Sequence, residues 1–249
     1  MKFRLRLQSR IQGLIDLCFP ERCRHCLCLL HDRERGLCSS CRASIQYISS
    51  PVCRHCGCEL PRDWDREHVC GQCILHPPSY TTARSLVSYT SPVSDLLRRL
   101  KYNGDTTVLP ALEGVAKAST VPESLSANRY IVPVPLHRLR LQHRGLNQSV
   151  LLAQILFPDQ LEKICPDLLR RIRNTLPQTG LDGVSRRKNL RGAFAVERRY
   201  RLEGRSVLLV DDIFTTGSTV DECSRILLSA GASDVHVLTF ARVSTKKRG

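Results

Sequence analysis

Apolar positions change their spacing near residue 78. Before it, long apolar runs are few and the chain is punctuated by cysteines. After it, helical and strand spacing alternate. The pattern predicts helices over 94–101 (SDLLRRLK), with Ser94 as N-cap, and over 107–119. It predicts a strand over 130–134, cut short by Pro133 and Pro135, and a helix over 148–157. VLLV at 207–210 is continuously apolar, which suits a central parallel strand covered on both faces. A helix over 221–230, stopped by Gly231, and a strand over 235–240 complete a βαβ unit. The expected class is therefore α/β, an open, mostly parallel sheet with helices on both faces. At the start of the chain, Leu7, Ile11, Leu14, Ile15 and Leu17 fall near one face of an amphipathic helix over 1–20 that docks onto the rest. No apolar run is long enough for a transmembrane helix, and no small-residue cleavage site follows the basic start.

Charge changes the picture. The formal net charge is +15, and arginine dominates the 38 basic residues. Its planar fork suits phosphate oxygens, so a polyanion or a phosphate-rich ligand is the expected partner. Aromatic residues are only 5% of the chain, which argues against large base-stacking platforms.

Most of the 13 cysteines lie between Cys18 and Cys73. Cys23-Arg24-His25-Cys26-Leu27-Cys28 recurs thirty residues later as Cys53-Arg54-His55-Cys56-Gly57-Cys58. Each copy is followed by a second CxxC, at Cys38/Cys41 and at Cys70/Cys73. Two CxxC knuckles close a tetrahedral four-thiolate site with no position left for water, so structural Zn2+ is expected on Cys23, Cys26, Cys38 and Cys41, and on Cys53, Cys56, Cys70 and Cys73. Cys28 and Cys58 could replace a ligand, and His25, His55, His68 and His76 could compete; they are read as surface or turn residues. Cys18, Cys165 and Cys223 read as ordinary buried thiols. This cysteine-rich module spans 21–78, with residues 76–79 as a linker into a second domain over 79–249. The pairing points to metal in a reducing cytosol rather than to disulfides. The expected location is cytoplasmic, with contact at the inner face of the cell membrane as a further possibility.

The sharpest motif is VLLVDDIFTTGST at 207–219. An apolar strand delivers Asp211 and Asp212 to its carboxyl end, where carboxylates can accept hydrogen bonds from ribose hydroxyls. Thr215, Thr216, Gly217, Ser218 and Thr219 then form a small-residue turn into a helix. Such a turn offers backbone N–H groups, hydroxyls and a helix N-terminus to a phosphate.

These residues resemble the signature of type I phosphoribosyltransferases. That resemblance implies that the acid pair contacts the ribose of phosphoribosyl pyrophosphate and that residues 215–219 bind its 5′-phosphate. It implies also that an earlier loop, here 132–137 with Val134 and Pro135 and with Arg138, Arg140 and Arg144 nearby, holds the pyrophosphate with Mg2+. The wider order of motifs is LKYNGD (100–105), VPVPLHRLRLQHRGLNQ (132–148), LPQTGLDGVSRRKNLRGAF (176–194) and then the acid-pair segment. With the paired CxxC module before them, it resembles the ComF family of competence and DNA-utilisation proteins. Leu146 stands where that family commonly has Phe. The resemblance implies handling of incoming single-stranded DNA, with the competence DNA helicase and the inner-membrane DNA channel as partners.

The stretch 170–205 is strongly basic, and Pro177, Gly180 and Gly183 suggest a mobile loop that presents Arg186, Arg187, Lys188 and Arg191 to pyrophosphate or to a nucleic-acid backbone. Active transfer of ribose 5-phosphate to an acceptor is the alternative function, although no base-recognition hood is apparent. A phosphoribosyl-pyrophosphate sensor is a third reading, unsupported by any helix-turn-helix pattern.

Overall fold

The computed structural model describes residues 20–31, 34–65, 67–119, 125, 129–174 and 189–244. The expected N-terminal helix, Cys18, and the cations Arg186, Arg187 and Lys188 lie outside these residues.

Six strands and seven helices frame the described chain. Helices α1 (Ser39–Ala43) and α2 (Gly71–Leu75) each start after the first cysteine of a repeat's second CxxC, Cys38 or Cys70, and carry its other cysteine, Cys41 or Cys73. Then come β1 (Thr82–Ser88), α3 (Val93–Asn103), α4 (Leu109–Ala118), β2 (Tyr130–Pro133), α5 (Arg138–Arg144), α6 (Gln148–Leu156), β3 (Leu169–Arg171), β4 (Phe194–Val196), β5 (Ser206–Phe214), α7 (Ser218–Ser229) and β6 (Asp234–Arg242). The main sheet has the order β1-β6-β5-β2, and every pairing in it is parallel. β3 and β4 form a separate antiparallel pair.

Helix α3 is not capped by Ser94. It begins at Val93 after Pro92, and Ser94 is buried within its first turn, its N–H already given to the Thr90 carbonyl. The helix predicted from 107 divides into a 3-10 turn, Thr106–Val108, and α4, because Pro110 sits at the start of α4, where it needs no N–H donor. Gly104 ends α3 in the left-handed conformation.

The pleat of β5 sorts the core into two layers. Leu208 and Val210 face α3, α4 and α6, and the first cysteine repeat packs into this layer through Cys23, Leu37, Cys38 and Cys41. Val207 and Leu209 face α7 and the β3–β4 pair, and the second repeat joins that layer through Cys53, Cys56 and Cys73. The repeats thus lie on opposite faces of one sheet. Beyond Asp212 the alternation slips by one residue, so Ile213 packs toward the first layer and Phe214 toward the second.

The outer edge of β1 is covered by both repeats. His55 O accepts from Ala83 N at 2.6 Å, Ser88 N donates to Gln46 O at 2.8 Å, and Ile48 N donates to Leu86 O at 3.0 Å. Gly57 makes the closest approach: its φ is +70°, and a Cβ there would lie 2.3 Å from Ala83 O, so no larger residue fits. Residues 76–79 are tied down rather than loose, since Ser79 N donates to Asp221 Oδ1 at 2.7 Å.

Candidate functional site

Each repeat gathers sulfurs. The Sγ atoms of Cys23, Cys26, Cys28 and Cys38 lie within 4.8 Å of one another, as do those of Cys53, Cys56, Cys58 and Cys70. Cys28 and Cys58, which the sequence left able to replace a ligand, therefore sit inside the compact groups. The physical reason is the positive φ of Leu27 and Gly57, which folds the chain back so that the next cysteine faces the knuckle. Cys41 and Cys73, expected as ligands, are buried beside their groups. Each site thus offers five sulfurs to an ion that takes four. Donation among the thiols is uneven. Hydrogen bonding from Cys41 brings Cys38 down to about 6. Hydrogen bonding from Cys58, then the nearby Arg242 charge, bring Cys56 to about 4, whereas the Cys26 thiol pushes Cys28 up to about 12. Low-pKa thiols are the ones ready to bind metal as thiolates. The all-sulfur donor sets fit Zn2+ held structurally. Among the loners, Cys223 is fully buried, while Cys165 is only half-buried and points to Lys163 O.

The second feature is a cleft of about 670 Å³ at the carboxyl end of β5, where open parallel sheets place ligands. Its walls include Asp211, Asp212, Thr219, Val134, Pro135 and Arg144. The acids, the loop after β2 and the basic helix α5, all singled out from the sequence, thus meet in one place. The acids stand within β5, which runs on to Phe214. Asp211 Oδ1 accepts from Ser149 Oγ at 3.0 Å, and Asp212 Oδ2 pairs with Lys101 Nζ at 2.7 Å. Desolvation, reinforced by the Asp212 charge, pushes the Asp211 carboxyl up to about 7. Burial works against the Lys101 charge, but Asp212 holds its ammonium above the ordinary value.

The turn after β5 departs slightly from its expected extent. Thr215 and Thr216 bend, Gly217 caps α7 at φ +77°, and Ser218 and Thr219 are already helical. The Thr216 hydroxyl accepts from Ser218 N at 3.4 Å and meets Ser218 Oγ at 2.9 Å. A Cβ at Gly217 would lie 2.6 Å from the ring tip of Phe214, so the loop rests directly on that ring.

Facing the acids is a cationic wall. Arg140, Arg144, His143 and Arg171 line the cleft. Burial, then the neighbouring Arg140 charge, bring Arg171 down to about 10. Burial, then Arg144, lower Arg140 as well. The loop after β2 is held by Asn147, which donates to Val134 O at 3.2 Å while its side-chain oxygen caps α6. Sequence reasoning gave no role to Lys101, Gln148, Ser149, Arg171 or Tyr102, although LKYNGD and the Asn-Gln pair were visible as motifs. Gln148 donates to Lys101 O at 3.2 Å, and Arg144 lies 5.7 Å from the Tyr102 ring centre.

No helix among the described residues is long and apolar enough to cross a membrane.

Known proteins place this geometry. Residues 14–74 match the double zinc ribbon domain, and residues 152–248 match the phosphoribosyl transferase domain. The chain is 35% identical over 229 residues to competence protein F of Haemophilus influenzae, covering 90% of this chain and 98% of that protein. It is 33% identical over 212 residues to the DNA utilization protein YhgH of Escherichia coli K12, covering 83% and 90%. To competence protein ComFC of Bacillus subtilis it is 27% identical over 220 residues, covering 84% and 85%. Zinc ribbons on both faces of a parallel sheet, an acid pair above a glycine turn, and relatives matched along nearly their whole length lead to one conclusion: the chain belongs to the ComF family of competence and DNA-utilisation proteins, with a phosphoribosyltransferase domain.

Proposed function

We propose that this protein handles incoming single-stranded DNA in natural transformation or DNA utilisation, and that its sheet domain binds phosphoribosyl pyrophosphate. The observation that carries the ligand half is the two-sided cleft. Asp211, Asp212 and Thr219, just past the Gly217 turn, form one wall, and Arg140, Arg144 and Arg171 form the other. A ribose with a phosphate on one carbon and a diphosphate on another presents hydroxyls between two anionic ends. Here the acids accept from the hydroxyls, the turn takes the 5′-phosphate, and the arginines take the diphosphate together with Mg2+. Zn2+ on the two cysteine groups, about one per repeat, holds the ribbons in place.

The DNA half is supported by the +15 charge and by the printed names of the relatives. Contact is chiefly to phosphates, given the few aromatic residues. A DNA helicase and a membrane DNA channel fit as partners of a cytoplasmic protein acting at the inner face of the membrane.

Transfer of ribose 5-phosphate to an acceptor is the second reading. The cleft extends past the acids to Tyr102 and Leu139, which are 66% and 56% exposed, so a second molecule has room beside the first.

Calorimetry with phosphoribosyl pyrophosphate and Mg2+ tests the ligand. The wild type should bind, while Asp211→Asn with Asp212→Asn should lose detectable binding and keep its zinc. Each charged acceptor removed costs about 1.5–3 kcal/mol, or about 10- to 150-fold. A wild type that does not bind leaves the sheet as a scaffold and ends the enzyme reading too. Pyrophosphate release with a panel of bases decides turnover.

A further inference from the structure

Arg242, the last residue of β6, is a buried cation that the reading above does not use. It is 6% exposed, and among the described residues no carboxylate pairs with it and its Nε makes no hydrogen bond. Burying a charge without a counter-charge is costly. The groups it does touch belong to the second cysteine repeat. Nη1 donates to Cys56 O at 2.5 Å, and Nη2 donates to Cys56 Sγ at 3.6 Å. A divalent ion held by four thiolates keeps a net charge of about −2, which supplies the missing counter-charge.

The other face of the guanidinium covers Phe214, with its carbon 4.3 Å from the ring centre. Phe214 is buried, meets Tyr80 edge-on at 6.3 Å, and carries the Gly217 turn on its ring tip. Cys56, Arg242, Phe214 and Gly217 therefore form one stack, from the cysteine group to the turn. The slip in the alternation after Asp212 is what brings Phe214 onto this face. Among the described residues the first repeat's side-chain ties run instead to the start and body of α3, through Arg99 to Arg24 O and through His25 to Asp95 and Ser91.

We infer that Arg242 is a positioning residue that couples the second cysteine group to the phosphate turn, so that metal on Cys53, Cys56, Cys58 or Cys73, and Cys70 sets the shape and affinity of residues 215–219. The ligand side of this inference rests on the phosphoribosyl reading; the coupling itself rests on the stack alone.

The test compares Arg242→Met with Arg242→Lys and with Arg99→Met, which cuts a tie of the first repeat. Amide hydrogen exchange is read over residues 215–219 without ligand, with the amides of Val207 and Val210 as the control for an intact sheet. Zinc release to a chromophoric chelator and phosphoribosyl-pyrophosphate affinity are measured on the same proteins. Arg242→Met should speed exchange in the turn about tenfold, the scale of one lost buried cation–π contact. It should also speed release of one zinc but not the other, and weaken the ligand by a similar factor. Arg242→Lys should recover part of each effect, and Arg99→Met should leave the turn unchanged. Turn exchange that is unaltered in Arg242→Met, with the sheet control intact, overturns the inference. If Arg242→Met does not fold, Phe214→Leu removes the ring from the same stack and should loosen the turn with zinc retained; an unaltered turn there overturns the inference equally. If the wild type binds no phosphoribosyl pyrophosphate, the ligand reading fails, and exchange and zinc release still decide the coupling.

Discussion

The two cysteine repeats begin with the same Cys-Arg-His-Cys and end on opposite faces of the sheet. Their knuckles are alike: Cys23 N donates to Cys28 O and Cys53 N to Cys58 O, both at 2.8 Å. The residues between the cysteines are put to different use. His25 lies 3.3 Å from Cys41 Sγ and turns its other nitrogen to Ser91 and Asp95 at the start of α3. His55 reaches Thr81 O from an exposed position. Arg24 is tucked in, and its carbonyl accepts from Arg99; Arg54 pairs with Glu67 in solvent at 3.0 Å. The first repeat therefore steadies α3, whose Lys101 holds Asp212. The second steadies the strand end and turn that follow the acids. One repeated unit thus meets two different surfaces and supports two parts of the acid wall, the Lys101–Asp212 pair and the turn after β5.

That division can be broken by removing one metal at a time. Cys53→Ser with Cys70→Ser should lower zinc from about two per chain to about one and abolish phosphoribosyl-pyrophosphate binding. Cys23→Ser with Cys38→Ser should lower zinc equally but leave measurable binding, weakened through the Lys101 wall. Equal losses of binding in the two variants would mean that the repeats serve a common structural purpose.

The Lys101–Asp212 pair is probed more gently with Lys101→Met. Asp212 is left buried without its partner, a cost of about 2–3 kcal/mol when a charge-assisted bond is lost from a largely buried site. Adding Asp212→Asn should restore most of that stability, as chemical denaturation would register; no restoration would mean that the two side chains are not coupled.

Acidity acts on the other acid, Asp211. With its carboxyl near 7, Asp211 is protonated in the folded protein at pH 6 and ionised at pH 8. Because this pKa lies above the unfolded value of about 3.9, ionisation costs stability progressively as pH rises from about 4 through 7. The ionised form is the better acceptor, so ligand affinity should rise about tenfold between pH 6 and 8. Asp211→Asn should remove that rise relative to the wild type and be relatively more stable at alkaline pH. A slope that survives in Asp211→Asn would come from the ligand or from another group.

The smallest effect concerns DNA. Reversing Arg186, Arg187 and Lys188 should reduce the slope of log affinity for single-stranded DNA against log salt by about 2, for roughly three phosphates lost. If the slope is unchanged, the contact surface lies elsewhere, with the arginines of the repeats as the next region to alter.

Much of this was readable in the sequence, for identifiable reasons. VLLV followed by two acids and TTGST combines a fully apolar strand with polar groups that have no place in a core, so fold and site announce themselves together. The knuckles were legible by spacing, but the choice among five cysteines depends on a backbone reversal at Leu27 and Gly57 that spacing does not encode. β1 was missed because Arg84 and Ser85 interrupt its apolar run; Arg84 spends its Nη1 on three carbonyls of the second repeat and its own strand, and Ser85 meets Thr239 at 2.6 Å. β3 hid within a basic run. Lys101 and Arg242 act across 111 and 186 residues of chain, and nothing local separates a buried arginine from a solvated one.

The covered edge of β1 has a consequence for the order in which the protein is made. β1 pairs within the sheet to β6, the last strand among the described residues, so its partner leaves the ribosome about 150 residues later. Both repeats precede β1 in the chain, and small zinc modules fold as they bind their metal. They can therefore occupy its exposed backbone while the rest is still being synthesised, when a bare strand would otherwise be open to pairing with a neighbouring nascent chain. Withholding zinc during translation should therefore raise the aggregated fraction more than stripping zinc from the finished molecule does.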